Sequence, residues 1–212
     1  MKSSIIWTIT LLIIFGSVFA VYKIAKAPSS GNGGTIPAIS ASDQSRGPKD
    51  AKVVLVEYSD FQCPACANFY PHIEELDKEL GGKILFVYRH FPLPQHKNAE
   101  ITAYAAEAAG RQGKFWEMYR AIFEYQTEWS EDKDARGKII GYAAALELNI
   151  DQLNKDIDLG ETKDKVSADA RGGTYAGVNS TPTFFLNGNK LTGFNSYDDF
   201  KNLIREAVRN NP

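Results

Sequence analysis

The sequence predicts an α/β protein, and three observations carry that reading. An apolar, β-branched run, Val53-Val54-Leu55-Val56-Glu57-Tyr58, leads into a helix that opens at Cys63-Pro64-Ala65-Cys66, and a second run, Ile84-Leu85-Phe86-Val87-Tyr88, follows it. Such runs suit strands buried on both faces. A long alanine-rich stretch with helical spacing fills the middle of the chain, and strand character returns after Gly177. Strand, helix and strand within about forty residues form a βαβ unit, so the first two strands should be parallel neighbours.

The chain has 212 residues and is 43% hydrophobic, enough for one domain with a full core once the N-terminus is set aside. Ile5 to Tyr22 is uncharged and largely apolar, with Lys2 before it and Lys23 and Lys26 after it. As a helix it would run about 27 Å at about 1.5 Å per residue, close to the hydrocarbon thickness of a bilayer. Trp7 and Tyr22 near its ends suit the interfacial belts. Residues 1–26 are therefore expected to form a single-pass membrane anchor. The alternative is a cleaved signal, because Val18-Phe19-Ala20 and Ala25-Lys26-Ala27 resemble processing sites, although the run exceeds the usual h-region.

Residues 27–50 are rich in Pro, Ser, Gly and Asn, show no apolar period, and read as a flexible linker. Residues 51–96 hold the βαβ unit. Its helix should run from Pro64 to about Leu80, with Phe69, Ile73, Leu76 and Leu80 near one face and Gly81-Gly82 at its end. Pro71 inside it should produce a kink. Residues 97–177 read as helical throughout, with Phe115, Trp116, Tyr119 and Phe123 in the core. Residues 178–212 read as a strand at Thr181–Leu186, a turn at Asn187-Gly188-Asn189 and a return strand at Lys190–Phe194. Ser196 should cap a last helix from Tyr197 to about Arg209, with Asp198 and Asp199 in its first turn.

The formal net charge is −2, and no basic run or basic face with interleaved aromatics occurs, which argues against nucleic acid as a partner. Cys63 and Cys66 are the only cysteines. At the opening of a helix they can close a small-loop disulfide, and free N–H groups and the helix dipole favour a thiolate at the first sulfur. Pro64 fits the first helical position, where a missing N–H costs nothing. A bare C-x-x-C also fits half a metal site or a structural bridge. However, a closed zinc site needs about four ligands, and His72, His90 and His96 lack the pairwise spacing for one. A bridge across so short a loop would remove little unfolded-state entropy. The balance favours a redox pair, with no metal or organic cofactor expected. A disulfide-handling domain belongs on the oxidising side of the membrane, and that settles an orientation which the flanking lysines do not.

With C-x-x-C in a βαβ unit, a helical block and a hairpin entered through Thr181-Pro182, the chain resembles the DsbA-like branch of the thioredoxin superfamily. The resemblance covers about Lys49 to Val208. It rests on Phe61-Gln62-Cys63-Pro64-Ala65-Cys66, Arg89-His90-Phe91-Pro92-Leu93 and Thr181-Pro182-Thr183-Phe184. It implies a thioredoxin fold with an inserted helical domain. It also implies that Cys63 is the exposed nucleophile, Cys66 its shielded resolving partner, and Pro182 a cis-proline facing the pair. Thr181 would then present backbone to an extended substrate, with Pro64, Ala65 and Pro182 as the other substrate-binding residues.

Glu57 matches the buried acid of the family, which would relay a proton to or from Cys66; a solvated edge position is the other reading. Asp60 is expected in an exposed turn. Ala65 stands where strongly oxidising members carry histidine, so the helix N-terminus must stabilise the Cys63 thiolate alone. The activity implied is an extracytoplasmic thiol-disulfide oxidoreductase that introduces disulfides into exported thiol-containing proteins and is reoxidised by a quinone-linked membrane partner. A reductase or isomerase, or a non-catalytic metal- or peptide-binding module, are the rivals.

Overall fold

The computed structural model describes residues 35–211. The anchor expected over residues 1–26 lies outside the described residues, as does the first part of the expected linker. Among the described residues, no helix is long and apolar enough to cross a membrane.

Among the described residues, five strands form one mixed sheet: β1 (Gln44–Arg46), β2 (Val53–Ser59), β3 (Ile84–His90), β4 (Thr183–Leu186) and β5 (Asn189–Lys190), in the order β1-β3-β2-β4-β5. The two apolar runs pair in parallel as expected, with Glu57 opposite Tyr88 and Ser59 opposite His90. They are joined by α1 (Pro64–Leu80), which continues through Pro71 and ends where the Gly81 N–H bonds to Asp77 O at 2.7 Å. Then come α2 (Ala99–Arg111), α3 (Phe115–Glu124), the single turn α4 (Gln126–Trp129), α5 (Ala135–Ala145), α6 (Ile150–Asp158) and α7 (Gly160–Tyr175). Helix α8 (Tyr197–Asn210) closes the chain and is capped as the sequence predicts, the Ser196 hydroxyl accepting the Asp199 N–H at 3.0 Å.

The period-two geometry of the strands gives the sheet two cores. On one face Val53, Leu55, Phe86, Tyr88 and Phe184 pack with α1, α3 and α8, and Phe115, Tyr119 and Phe123 lie in that core as expected, with Trp116 at its margin. On the other face Val56, Tyr58, Val87 and Phe185 pack with Phe91, Ala176 and Val178. Helix α7 approaches this second face so closely that a Cβ on Gly173 would lie 2.8 Å from Phe91 Cδ2 and 2.9 Å from the Tyr58 ring. Gly173→Ala is expected to destabilise the fold by about 1–3 kcal/mol through overpacking, read as a lower urea midpoint at unchanged slope.

Two expectations about the chain path need correction. The linker read over residues 27–50 is not free along its described part. Gln44–Arg46 adds an antiparallel edge strand to β3, and the buried carboxylate of Asp43 receives two hydrogen bonds of 2.9 Å from Arg89. Arg89 also donates to Pro37 O at 2.9 Å and to Ala38 O at 3.2 Å, so one guanidinium fastens the whole segment. The ion pair holds the Asp43 carboxyl below its ordinary range despite burial. The hairpin is also shorter than expected. Asn187 and Gly188 both take positive φ, 49° and 81°, which makes a two-residue turn and puts Asn189 in the return strand. That strand ends at Lys190, and Leu191 to Phe194 leave the ladder.

Candidate active site

The C-terminal end of β2 delivers the cysteine loop, and β4 brings the proline beside it. Tyr58 pairs with Thr183, so Thr181-Pro182 lies at the same end of the sheet as Cys63. Cys63 is the N-cap of α1 and Pro64 its first residue. The Thr181–Pro182 peptide bond is cis, as the resemblance implies. The Cys63 thiol donates to Thr181 O at 3.5 Å, which places the sulfur directly against the residue before that proline.

Both cysteines are free thiols. Cys63 is 7% exposed and Cys66 1%. The expectation that Cys63 is exposed is therefore corrected: it is the less buried of two buried sulfurs, because the Thr181 backbone covers it. Pro64 and Ala65 are the exposed residues of the motif, Pro182 is half-buried and Thr181 is buried.

The two sulfurs are driven apart in acidity. A hydrogen bond from the Cys66 thiol, another from Thr181, and the backbone N–H groups of Cys66 and Ala65 bring Cys63 down to about 5, against a burial cost of opposite sign. Thr181 Oγ1 is buried with no hydrogen-bond partner, so its hydroxyl is free to turn toward that sulfur. Burial pushes the Cys66 thiol far up, and its role as donor to Cys63 and the nearby Glu57 carboxylate push it further. One sulfur is thus an anion at neutral pH and the other a thiol, the division that disulfide exchange needs. The helix terminus that Ala65 leaves unaided by histidine is supplemented by Thr181 and by Cys66 itself.

Glu57 is wholly inside, at 1% exposure, rather than at a solvated edge. Burial raises its carboxyl to about 7, with the Ser59 hydroxyl and Arg46 pulling the other way, and its Oε2 has no hydrogen-bond partner. It lies on the same sheet face as Cys66 and raises the Cys66 thiol, a placement suited to proton exchange between the two.

Asp60 is a further correction, since it is buried rather than in an exposed turn. Its carboxylate accepts the Gln62 N–H at 2.7 Å, the Leu93 N–H at 2.8 Å and His96 Nδ1 at 2.7 Å, three donors that offset its burial. The sequence reading also missed Gln126 and Asn98, which no motif marks, and gave no role to Gln62 of the cysteine motif; together they link the cysteine loop to the helical block. Among the described residues, one group has metal-ligating geometry, His90, Glu107 and Asp169, with ligand atoms within 4.8 Å of one another. Its carboxylates are already engaged, Glu107 by His90 at 2.9 Å and Gln44 at 2.7 Å, and Asp169 by the Lys165 ammonium at 2.6 Å.

A parallel β2-α1-β3 unit with a dithiol at its helix start, a cis-proline against the first sulfur and an inserted helical block define a thioredoxin-type fold with a cysteine-pair site. The chain belongs to the Thioredoxin family, whose model matches residues 40–206. The fold is similar to that of oxidised BdbD from Bacillus subtilis, with a TM-score of 0.72 and 22% identity over 84% of this chain and 97% of that one. It is equally similar to α-DsbA1 from Wolbachia pipientis, with a TM-score of 0.72 and 22% identity over 82% of this chain and 94% of that one. In sequence, the Na(+)/H(+) antiporter NhaA 1 of Mycobacterium sp. (strain KMS) is 40% identical over 156 residues, 71% of this chain and 24% of the antiporter. The chain thus spans about a quarter of the length of the curated relatives it matches.

Proposed function

We propose that this protein oxidises dithiols of exported proteins on the outer side of a membrane, to which residues 1–26 tether it. One feature supports the oxidising direction: at the start of α1 the Cys66 thiol, the Thr181 side chain and the backbone N–H groups of Cys66 and Ala65 draw Cys63 down to about 5. Stabilising the Cys63 anion stabilises the reduced pair, so the disulfide of Cys63 and Cys66 gives up its bond readily. For a sulfur titrating at about 5, the gain at pH 7 is about 100-fold over a pair with both thiols neutral, or ~60 mV.

In the forward reaction a substrate thiolate attacks Cys63 Sγ, and the Cys63–Cys66 bond breaks. Cys66 leaves as a thiolate and takes a proton from Glu57. A second substrate thiolate then attacks the substrate sulfur of the mixed disulfide, and Cys63 departs as its stable anion. The substrate gains a disulfide, the protein keeps two electrons, and a membrane redox partner removes them. Thr181, Pro182, Pro64 and Ala65 form the surface along which the substrate lies. Equilibration with reduced and oxidised glutathione tests the direction. A potential less negative than about −200 mV is expected, whereas one near about −270 mV would assign the protein to the reductases instead.

A further inference from the structure

Three side-chain amides fasten the cysteine loop to the helical block. Gln62 Nε2 donates to Ser130 O at 2.6 Å, and its Oε1 accepts the Asn98 N–H at 2.6 Å. Asn98 Nδ2 donates in turn to Ser130 O at 3.0 Å and Asp132 O at 3.1 Å. These two hold the loop's outer side. The third, Gln126, reaches the nucleophile's own backbone. Its Nε2 donates to Phe61 O at 2.6 Å and to Cys63 O at 3.0 Å, and the whole residue is buried.

Two carbonyl oxygens converging on one buried point need a donor, because their negative ends otherwise repel each other and lose water without compensation. Cys63 O also accepts the Ala67 N–H at 3.1 Å, the first hydrogen bond of α1. Gln126 therefore acts on the peptide that starts the helix, and that start aims the Ala65 and Cys66 N–H groups at the sulfur.

We propose that Gln126 is a positioning residue for disulfide exchange: by clamping the carbonyls of Phe61 and Cys63 from the helical block, it fixes the first turn of α1 in the orientation that stabilises the Cys63 anion. The proposal rests on Cys63 being the ionised nucleophile of the reading above. It gives the inserted helices a part in the chemistry, since the cysteine loop is shaped from a segment about sixty residues downstream in the chain.

A glutamate at this position keeps the shape but loses the donor and adds a negative charge. A methionine loses the donor alone. The test follows Cys63 ionisation by thiolate absorbance, the equilibrium constant with glutathione, and the melting temperature in the full chain and in both variants. In Gln126→Glu the ionisation midpoint is expected to rise by about one pH unit, and the disulfide to become about tenfold less oxidising, ~30 mV. Gln126→Met should shift both in the same direction by about threefold, and it decides the matter if the glutamate variant does not fold. Lower melting temperatures with unmoved midpoint and equilibrium constant would show a structural staple only and overturn the proposal. A wild-type Cys63 that titrates in the ordinary thiol range would instead overturn the oxidant reading and this inference with it.

Discussion

In the Cys66→Ala variant, Cys63 is expected to capture disulfide substrates as covalent adducts that persist, while turnover falls to background. The reduced variant still holds a sulfur that the Thr181 side chain and the start of α1 stabilise as an anion. That sulfur attacks a disulfide, one substrate sulfur joins Cys63, and the other leaves as a thiolate. In the wild type the Cys66 sulfur then attacks Cys63 and ejects the substrate, restoring the Cys63–Cys66 bond. Alanine removes that exit. Some of the Cys63 stabilisation goes as well, because the Cys66 thiol is its largest single contributor, so the adduct should form best a little above neutral pH. Mass spectrometry under non-reducing conditions reads the adduct, and a reducing agent should dissolve it. A variant that captures nothing from a disulfide peptide would mark the protein as a holding module without redox turnover.

The parts of this molecule that were legible in the sequence are those fixed by local chemistry. The β-branched runs gave the central strands because such side chains pack on a pleated surface, and Ser196 gave the start of α8 because its hydroxyl satisfies an otherwise free N–H. The cysteine pair was visible because few other arrangements make chemical sense of it. What stayed hidden depends on partners far away in the chain. Gln44–Arg46 has no strand pattern of its own and becomes a strand because β3 offers an open edge and Arg89 holds the residues before it. Asp60 looked like a solvated turn residue until Leu93 and His96 folded back onto it. Gln126 is one glutamine in a helical block, and only the tertiary fold brings it to the carbonyl of Cys63.

Replacing Glu57 by glutamine is expected to stabilise the reduced protein at high pH while impairing its chemistry. The carboxyl is fully buried, and the fold raises its pKa from the ordinary 4.5 to about 7. A raised carboxyl value means that the native state keeps the proton after the unfolded chain has lost it. Stability from this group is complete below about 4.5, declines between about 4.5 and 7, and is absent above. The difference amounts to about 3 kcal/mol at alkaline pH. Glutamine cannot ionise, so Glu57→Gln should match the wild type near pH 4.5 and exceed it by about 3 kcal/mol at pH 8, or about 6–12 °C in melting temperature. Cys63 works in the opposite direction over part of this range, since its lowered value makes the reduced fold gain stability as pH rises. Only the difference between variant and wild type isolates the carboxyl. The same variant should slow the step in which Cys66 gains or loses its proton by about 100-fold, because the buried thiol has lost its exchange partner. If the two melting curves run parallel from pH 4.5 to 8 and the rate is unchanged, Glu57 neither holds its proton above the ordinary carboxylate range nor relays it. The pairing of the two effects is the stronger test, since a group that costs stability in its charged form is retained there for what its proton does.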